Sequence, residues 1–210
     1  MNHFNSLETL ENRKLLSAVT QIDGETLRVT GTERSDYVTV HQDGRDVTVT
    51  TFTWGHGFDR QVFDRFDFEK FSAETHGGSD VVRVNGLIAP DGGSVLTGRG
   101  HDKVVFSNTN ISDDFTIDMG KGRDTLLMVD AKFQGLNVNM GSGSDSVFAY
   151  GSTATEYGTV LLGSGNDLLV AVDNTVFGFT TVKGESGFDV LVARGNELAG
   201  TNVETMEWVI

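Results

Sequence analysis

Six glycine-rich turns that end in aspartate are the residues of this sequence with the clearest capacity for chemistry. Their aspartates are Asp80, Asp102, Asp124, Asp145, Asp167 and Asp189. A carboxylate beside the exposed carbonyls of a tight glycine turn offers oxygen ligands of the kind that calcium prefers, about six to eight per ion. The turns therefore predict either calcium sites or a row of carboxylates that accept backbone hydrogen bonds from residues two positions on, without metal.

Two neighbouring turns combine these groups with neutral surroundings. GSGSDS and GSGND contain no basic residue, whereas the turns at Asp102 and Asp124 hold arginine, lysine or histidine beside the aspartate. Stacked carboxylates about 5 Å apart would repel by about 1–3 kcal/mol, and a bound cation would remove that cost. The sequence therefore places its candidate calcium ligands at Gly141, Gly143, Asp145, Gly163, Gly165 and Asp167.

The aspartates recur at a nearly fixed interval. Successive members are 22, 22, 21, 22 and 22 residues apart, and an earlier GTERSDYV places Asp36 two such periods before Asp80. Tandem units that cannot bury a core alone are stabilised by stacking on one another. The interval predicts a solenoid of 22-residue coils.

Apolar residues occupy the same offsets from every aspartate. The positions two residues after it are all valine or leucine, and those four and nine after it and seven before the next one are apolar throughout. Offsets that differ by two lie on one face of a strand, so the columns predict about three short strands per coil around a filled interior. The expected fold is all-β, a right-handed parallel β-helix, the hand following the general preference of parallel crossovers.

The chain before Asp80 departs from this pattern. DYVTVHQDGRDVTVT alternates around Asp43-Gly44, which predicts a β-hairpin, and several phenylalanines interrupt the columns. Terminal repeats of solenoids are commonly atypical because one face lacks a neighbour. We expect residues 21–79 to form irregular coils and a hairpin cap, and residues 80–210 to form the regular coils. Met206, Trp208 and Val209 are expected to cover the last coil.

Composition excludes several classes of protein. The chain has 26 glycines, one proline, no cysteine and a net charge of −14. Without cysteine there is no disulfide framework or thiolate metal site. An acidic surface repels nucleic acids and favours divalent cations, although it also serves solubility alone. No apolar run approaches the roughly 20 residues of a membrane helix, so no transmembrane segment is expected.

The outward positions of the first strand in each coil give little support to catalysis. Three residues after each aspartate lie Arg83, Val105, Leu127, Phe148, Val170 and Val192. A polysaccharide-degrading β-helix needs carboxylates, or a base paired with arginine or lysine, on an exposed face. Arg83 and Lys103 are candidates for such a site, with Asp118 farther round the coil, but no catalytic residue is assigned. The apolar row instead predicts a covering loop, a partner or self-association.

The GxGxDxU turns resemble the hemolysin-type calcium-binding repeat (RTX), whose unit of about nine residues is GGxGxDxUx. The matching trios are Gly98-Gly100-Asp102, Gly120-Gly122-Asp124, Gly141-Gly143-Asp145 and Gly163-Gly165-Asp167. The resemblance implies a right-handed parallel β-roll with calcium between stacked turns. Here the unit recurs every 22 residues and its first glycine is usually replaced, so only one edge of the solenoid would carry such turns.

Residues 1–20 resemble the LExLExRxLLSA element at the N-terminus of many exported planctomycete proteins. The matching residues are Leu7, Glu8, Leu10, Glu11, Arg13, Leu15, Leu16, Ser17 and Ala18. Asn12 stands where the family often has proline, and an arginine-rich lead-in is missing. The resemblance implies secretion or a place at the cell surface, with processing near Ser17-Ala18. The alternative is an amphipathic terminus without a sorting role.

Two functional hypotheses follow. The first is a non-enzymatic exported structural or adhesion module, with calcium as a candidate stabilising ion and with cell-surface, matrix, glycan or like molecules as partners. The second is a carbohydrate-binding or polysaccharide-degrading β-helix. Neither hypothesis includes a nucleic-acid partner.

Overall fold

The computed structural model describes residues 17–176, 178–198, 200–206 and 208–209. Most of these residues lie in two β-sheets that enclose one apolar interior. Residues 1–16, which carry most of the LExLExRxLLSA resemblance, lie outside the described residues.

The strands are numbered here in chain order. The first sheet contains β1 (Val19–Asp23), β2 (Thr26–Thr30), β6 (Lys70–Glu74), β8 (Ile88–Ala89), β9 (Gly93–Leu96), β11 (Asn110–Asp118), β13 (Lys132–Asn139), β15 (Thr153–Leu161), β17 (Thr175–Val176), β18 (Phe179–Lys183), β20 (Glu197–Leu198) and β21 (Thr201–Glu204). The second sheet contains β3 (Asp36–Asp43), β4 (Asp46–Thr53), β5 (Gly57–Asp64), β7 (Val81–Asn85), β10 (Lys103–Ser107), β12 (Thr125–Val129), β14 (Ser146–Tyr150), β16 (Leu168–Val172), β19 (Val190–Arg194) and β22 (Trp208–Val209). A short 3₁₀ helix, Arg65–Asp67, follows β5.

The predicted stacking of coils is confirmed. Val104 pairs in parallel with Val82 on one side and with Leu126 on the other. The same column continues through Val147, Leu169 and Leu191. Equivalent parallel pairs join Ile111 to Phe133 and Ile117 to Val138 in the first sheet. Each apolar column of the sequence is therefore a ladder of stacked side chains inside a parallel β-solenoid.

The three strand segments of a coil lie in two sheets. After the second-sheet strand, the chain forms two segments of the first sheet, separate as β8 and β9 but merged in β11, where the register shifts between Ile111 and Asp114. β13 and β15 are merged in the same way. The right-handed sense of the coils stays a prediction.

The N-terminal cap is antiparallel. β3 and β4 form the predicted hairpin, with Asp43 opposite Asp46 and Gly44 at a φ of +60°. β5 continues this ribbon, and β1 pairs antiparallel with β2. Because β3 also pairs in parallel with β7, Asp36 lies one coil from Asp80, although the chain between them is two periods long. The excursion through β4 and β5 takes up much of that extra length.

The interior is filled unevenly along the solenoid axis. Phe106, Phe115 and Phe133 form a cluster with ring centroids 5.4–5.8 Å apart. In later coils the position of Phe106 is taken by Ala149, Ala171 and Ala193, and an apolar cavity of about 120 Å³ lies beside these three alanines. Of the predicted C-terminal cover, Met206 packs against the core and the backbone of Trp208–Val209 pairs with β19.

Candidate functional site

The glycine-rich turns form one straight edge of the solenoid. One residue in the middle of each turn bridges in parallel to the next coil, in the series Gly77, Arg99, Lys121, Ser142, Ser164 and Ser186. The Lys121 N–H donates to the Gly98 carbonyl at 2.7 Å, and the Gly122 N–H donates to the Ser142 carbonyl at 2.8 Å. These carbonyls thus connect neighbouring coils.

The two glycines of each turn are explained by the close approach of neighbouring backbones. Gly143 has a φ of +140°, and a Cβ at this position would overlap the carbonyl oxygen of Gly122. Gly141 stands in the same relation to the Gly120 carbonyl. Only glycine combines such a φ with the absence of a side chain. The GxG pattern is therefore required by backbone packing alone.

The aspartates form a continuous ladder of side-chain to backbone hydrogen bonds. The Asp102 N–H donates to Asp124 Oδ1, the Asp124 N–H to Asp145 Oδ1, and the Asp145 N–H to Asp167 Oδ1, each at 2.7 Å. The same bond joins Asp36 to Asp80, Asp80 to Asp102, and Asp167 to Asp189. The metal-free alternative predicted that each carboxylate accepts from a backbone N–H two residues on in the same turn. In the structure the donor is the aspartate N–H of the preceding coil, a contact that exists only when the coils are stacked.

The second carboxyl oxygen has no hydrogen-bond partner along the ladder from Asp80 to Asp167. Oδ2 is buried and unpaired in Asp80, Asp102, Asp124, Asp145 and Asp167. Five residues before the last three of these aspartates, the chain places the buried apolar side chains of Met119, Met140 and Leu162. In earlier coils the same position holds Thr75 and Thr97, whose hydroxyls lie beside Asp80 and Asp102.

Burial makes the ladder weakly acidic. Desolvation raises the pKa of Asp80 and of Asp124 to about 7, and that of Asp167 to about 6. The backbone N–H from the preceding coil lowers each pKa in part, and the charge of neighbouring aspartates raises it again. Desolvation also raises the pKa of Asp102 and of Asp145. The carboxyl groups of this row therefore stay protonated at pH values well above the ordinary pKa of aspartate.

The candidate calcium ligands offer few free oxygens in this arrangement. Asp145 and Asp167 are 1% and 3% exposed, and Oδ1 of each accepts a hydrogen bond from a backbone N–H. The carbonyls of Gly141 and Ser142 accept N–H groups of adjacent coils. No three carboxylate or imidazole groups converge in the described part of the chain. Since calcium takes about six to eight oxygens, the present donor set fits it poorly, and calcium binding stays a prediction.

Two further ladders were missed by the sequence reasoning. On the outside of the turns, the Ser79 N–H donates to Ser35 Oγ at 2.9 Å, and equivalent bonds occur in later coils. At another corner, the Asn174 N–H donates to Asn196 Oδ1 at 2.9 Å, while Asn174 Nδ2 donates to the Ala149 carbonyl. A signal was present, because Ser152, Asn174 and Asn196 all stand seven residues after an aspartate.

The outer face of the second sheet carries the predicted apolar row. Its members are aligned by the strand pairing and are Val105, Leu127, Phe148, Val170 and Val192. Each of these side chains remains partly exposed. Arg83 continues the row at its N-terminal end, and Lys103 lies in the adjacent row. Asp118, in contrast, belongs to the first sheet, so the structure does not bring the three candidate polar residues into one face.

Comparison of the chain with protein-family models, with curated proteins and with solved structures finds no match. The resemblances to the RTX repeat and to the exported planctomycete element therefore rest on the residues quoted for them. Among the described residues, none of the helices has the length and apolar character needed to cross a membrane.

Proposed function

We propose that this protein is a non-enzymatic, exported structural or adhesion module whose contacts are made by the outside of the solenoid. The observation that carries the proposal is the apolar row on the outer face of the second sheet, from Val105 to Val192. Its side chains are partly exposed, so no described segment covers them fully. Exposed contiguous apolar surface of this kind is typical of protein contact sites.

The dimensions of this surface favour a weak contact. Five strands about 4.8 Å apart, each of five residues, give a flat area of about 400 Å². A stable interface buries about 800 Å² on each partner. The proposal is therefore a reversible contact with like molecules or with a matrix component, strengthened when many copies are displayed together.

The buried carboxyls of the described residues support a non-enzymatic role. The Asp80–Asp189 carboxyls are nearly inaccessible to solvent and are committed to backbone donors. A general acid or base has to come within hydrogen-bond reach of a substrate, which these carboxyls cannot do in the stacked state. The turns between regular coils are short, whereas binding grooves in solenoids are commonly built from insertions on one face.

Secretion or cell-surface display belongs to the same proposal. It is supported by the LExLExRxLLSA resemblance that ends at Ser17-Ala18 and by the resemblance of the turns to RTX repeats. The absence of cysteine and the net charge of −14 are compatible with an extracellular place.

The experiment is sedimentation velocity over a concentration series. The unchanged chain should show a concentration-dependent shift to larger species, and the double variant L127T/F148T should abolish it because it places hydroxyls in the centre of the row. The matched control is I88T/L96T, which changes two exposed apolar residues of the first sheet. Concentration-independent sedimentation of the unchanged chain, or an equal effect of the control, would refute the role of the row in self-association.

A further inference from the structure

One part of the surface is aromatic and basic, although the chain as a whole carries a net charge of −14. It lies on the outer face of β3, β4, β5 and β7, where strand pairing arranges the side chains in rows. The first row is Phe58, Phe52, Tyr37 and Val81. The next row is Arg60, Thr50, Thr39 and Arg83. We refer to these rows, together with Trp54, Arg34 and Lys103, as the aromatic–basic face.

The aromatic side chains of this face are unusually open to solvent. Trp54 is 73% exposed and Phe58 is 67% exposed, and more than a third of Tyr37 and of Phe52 is exposed. The rings of Phe52 and Trp54 meet edge to face at 6.4 Å. A depression of about 250 Å³ lies beside Tyr37, Phe52 and Trp54, and its other lining residues are Ser35, Asp36, Ser79 and Val81. Asp36 is buried, so aromatic rings and serine hydroxyls supply most of the accessible lining.

Cationic groups surround these rings. Arg83 lies over the ring of Tyr37 at 5.8 Å, and the Arg34 guanidinium reaches the Gly55 turn beside Trp54. Arg60 and Lys103 are exposed at the two sides of the rows. None of the outward positions in these rows is acidic. Farther along the same strands, the outward carboxylates are Asp43, Asp46 and Asp64 at the opposite end of the ribbon. Two exposed carboxylates flank the face without belonging to its rows, Asp59 between Phe58 and Arg60 and Glu33 beside Arg34.

The spacing of charge on this face is wide. Arg60 and Arg83 are three strands apart, which corresponds to about 14 Å across the sheet. Between them lie two threonines in one row and aromatic rings in the next. Such a surface suits a chain ligand that carries occasional negative charges and presents flat, weakly polar faces between them, because arginine forks bind carboxylate and sulfate groups and exposed rings supply stacking area.

We propose that the aromatic–basic face binds an anionic polysaccharide, with Arg60 and Arg83 pairing its acidic groups and with Trp54, Phe52 and Tyr37 stacking on its sugar rings. The inference rests on the proposed contact function and names a partner class for it. It uses the N-terminal part of the outer face of the second sheet, next to the apolar row that runs from Val105 to Val192, and different residues test each proposal, so the two can fail separately.

A nucleic acid fits this face less well. Each strand of DNA presents a phosphate about every 3.4 Å, and affinity depends on neutralising several of them. Four cationic side chains dispersed over the face of a molecule with a net charge of −14 supply little of that neutralisation. The structure also offers no continuous basic groove along these rows.

The test uses the full chain and isothermal titration calorimetry with polygalacturonate, with dextran as the neutral polysaccharide. Binding to polygalacturonate is expected at about 50 mM NaCl and should weaken strongly at about 500 mM, because exposed charge pairs are screened by salt. R60Q/R83Q should lower the affinity by about tenfold or more, since each arginine supplies a charge-assisted hydrogen bond. W54A should also weaken binding. In the unchanged chain, polygalacturonate should quench the fluorescence of Trp54, and this quenching should be absent in W54A.

The matched control is R194Q, which removes an exposed arginine from the same outer face at the far end of the sheet. It should leave the affinity within about twofold, as expected for a site remote from the contact. Circular dichroism melts would confirm that each variant is folded. Absence of binding to polygalacturonate, equal binding to dextran, equal loss in R194Q or tighter binding of single-stranded DNA would each overturn the proposal. L127T/F148T should bind polygalacturonate normally even if it no longer self-associates.

Discussion

The earlier and later coils of the solenoid share one repeat but are packed differently. In the earlier coils, Phe106, Phe115 and Phe133 fill the interior, and threonine hydroxyls lie beside the carboxyls of Asp80 and Asp102. In the later coils, alanines leave a cavity of about 120 Å³, and the position equivalent to those threonines is apolar. Both halves nevertheless keep the same backbone register.

This difference separates what specifies the fold from what stabilises it. The glycine turns, the aspartate ladder and the parallel pairing recur in every regular coil, so they set the geometry. The volume of the side chains inside varies from phenylalanine to alanine without changing that geometry. We expect the later coils to be less stable and to open first, because fewer buried contacts hold them.

The largest expected effect comes from emptying the packed half. F106A should lower the free energy of unfolding by about 4 kcal/mol, since Phe106 is fully buried against Phe115 and Phe133. L191A, which enlarges the existing cavity, should cost about 2 kcal/mol. Urea unfolding of both variants measures the difference. Equal losses would show that the two halves are packed alike.

A pair of glycines tests the turn edge. G143A should destabilise by about 3 kcal/mol, because the new Cβ meets the Gly122 carbonyl at a strained φ. G158A should be neutral or stabilise by about 0.5–1 kcal/mol, since a Cβ at Gly158 has no atom within 4 Å and faces the cavity. Thermal melts of the two variants provide the comparison. A tolerated G143A would contradict the role assigned to backbone contact.

The first aspartate of the ladder and its middle one should respond oppositely to amidation. Asp36 Oδ2 accepts from both the N–H and the hydroxyl of Thr32, so D36N should cost about 2 kcal/mol. Asp124 Oδ2 has no such donor, and D124N should stabilise the chain by on the order of 2 kcal/mol at pH 8 by removing a buried charge. Unfolding at pH 8 and pH 4 measures both effects. The D124N gain should vanish at pH 4, and a loss at pH 8 would contradict the account.

The smallest expected effect comes from filling the cavity. A171V adds methyl groups beside empty space and should raise the free energy of unfolding by about 1 kcal/mol. A73V makes the same change in the packed half, where Ala73 is fully buried, and should lower it by about 1 kcal/mol. Differential scanning calorimetry resolves changes of this size. Destabilisation by A171V would mean that the cavity is not available to a side chain.

The sequence predicts the periodic part of the fold well, because a fixed interval between Asp80 and Asp189 and uniform columns leave few alternatives to stacking. It predicts the hairpin at Asp43-Gly44 from local turn chemistry. It does not predict that Asp36 neighbours Asp80. The number of residues between them does not reveal that β4 and β5 leave the parallel coils and that β7 then pairs with β3. The aromatic–basic face escapes prediction for the same reason, since Arg60 and Arg83 come into one row only through the β3–β4–β5 ribbon.

We infer that the glycine–aspartate turns hold the coils together through a ladder of buried carboxyl groups that accept backbone N–H groups of the preceding coil. Because the folded pKa of Asp80, Asp124 and Asp167 lies above the ordinary value of 3.8, the folded state holds more protons than the unfolded state between pH 4 and about 7. The contribution of these groups to stability is therefore present below pH 4 and is lost as pH rises through 6 to 7.

The most direct test is the melting temperature between pH 4 and pH 8, measured in calcium and in EDTA. We predict that it falls as pH rises through this range, that the fall is shallower in D124N, and that the calcium and EDTA curves coincide. A melting temperature that rises toward pH 8, together with a clear gain in calcium over EDTA, would show that the ladder is ionised and holds a cation, in contradiction to this account.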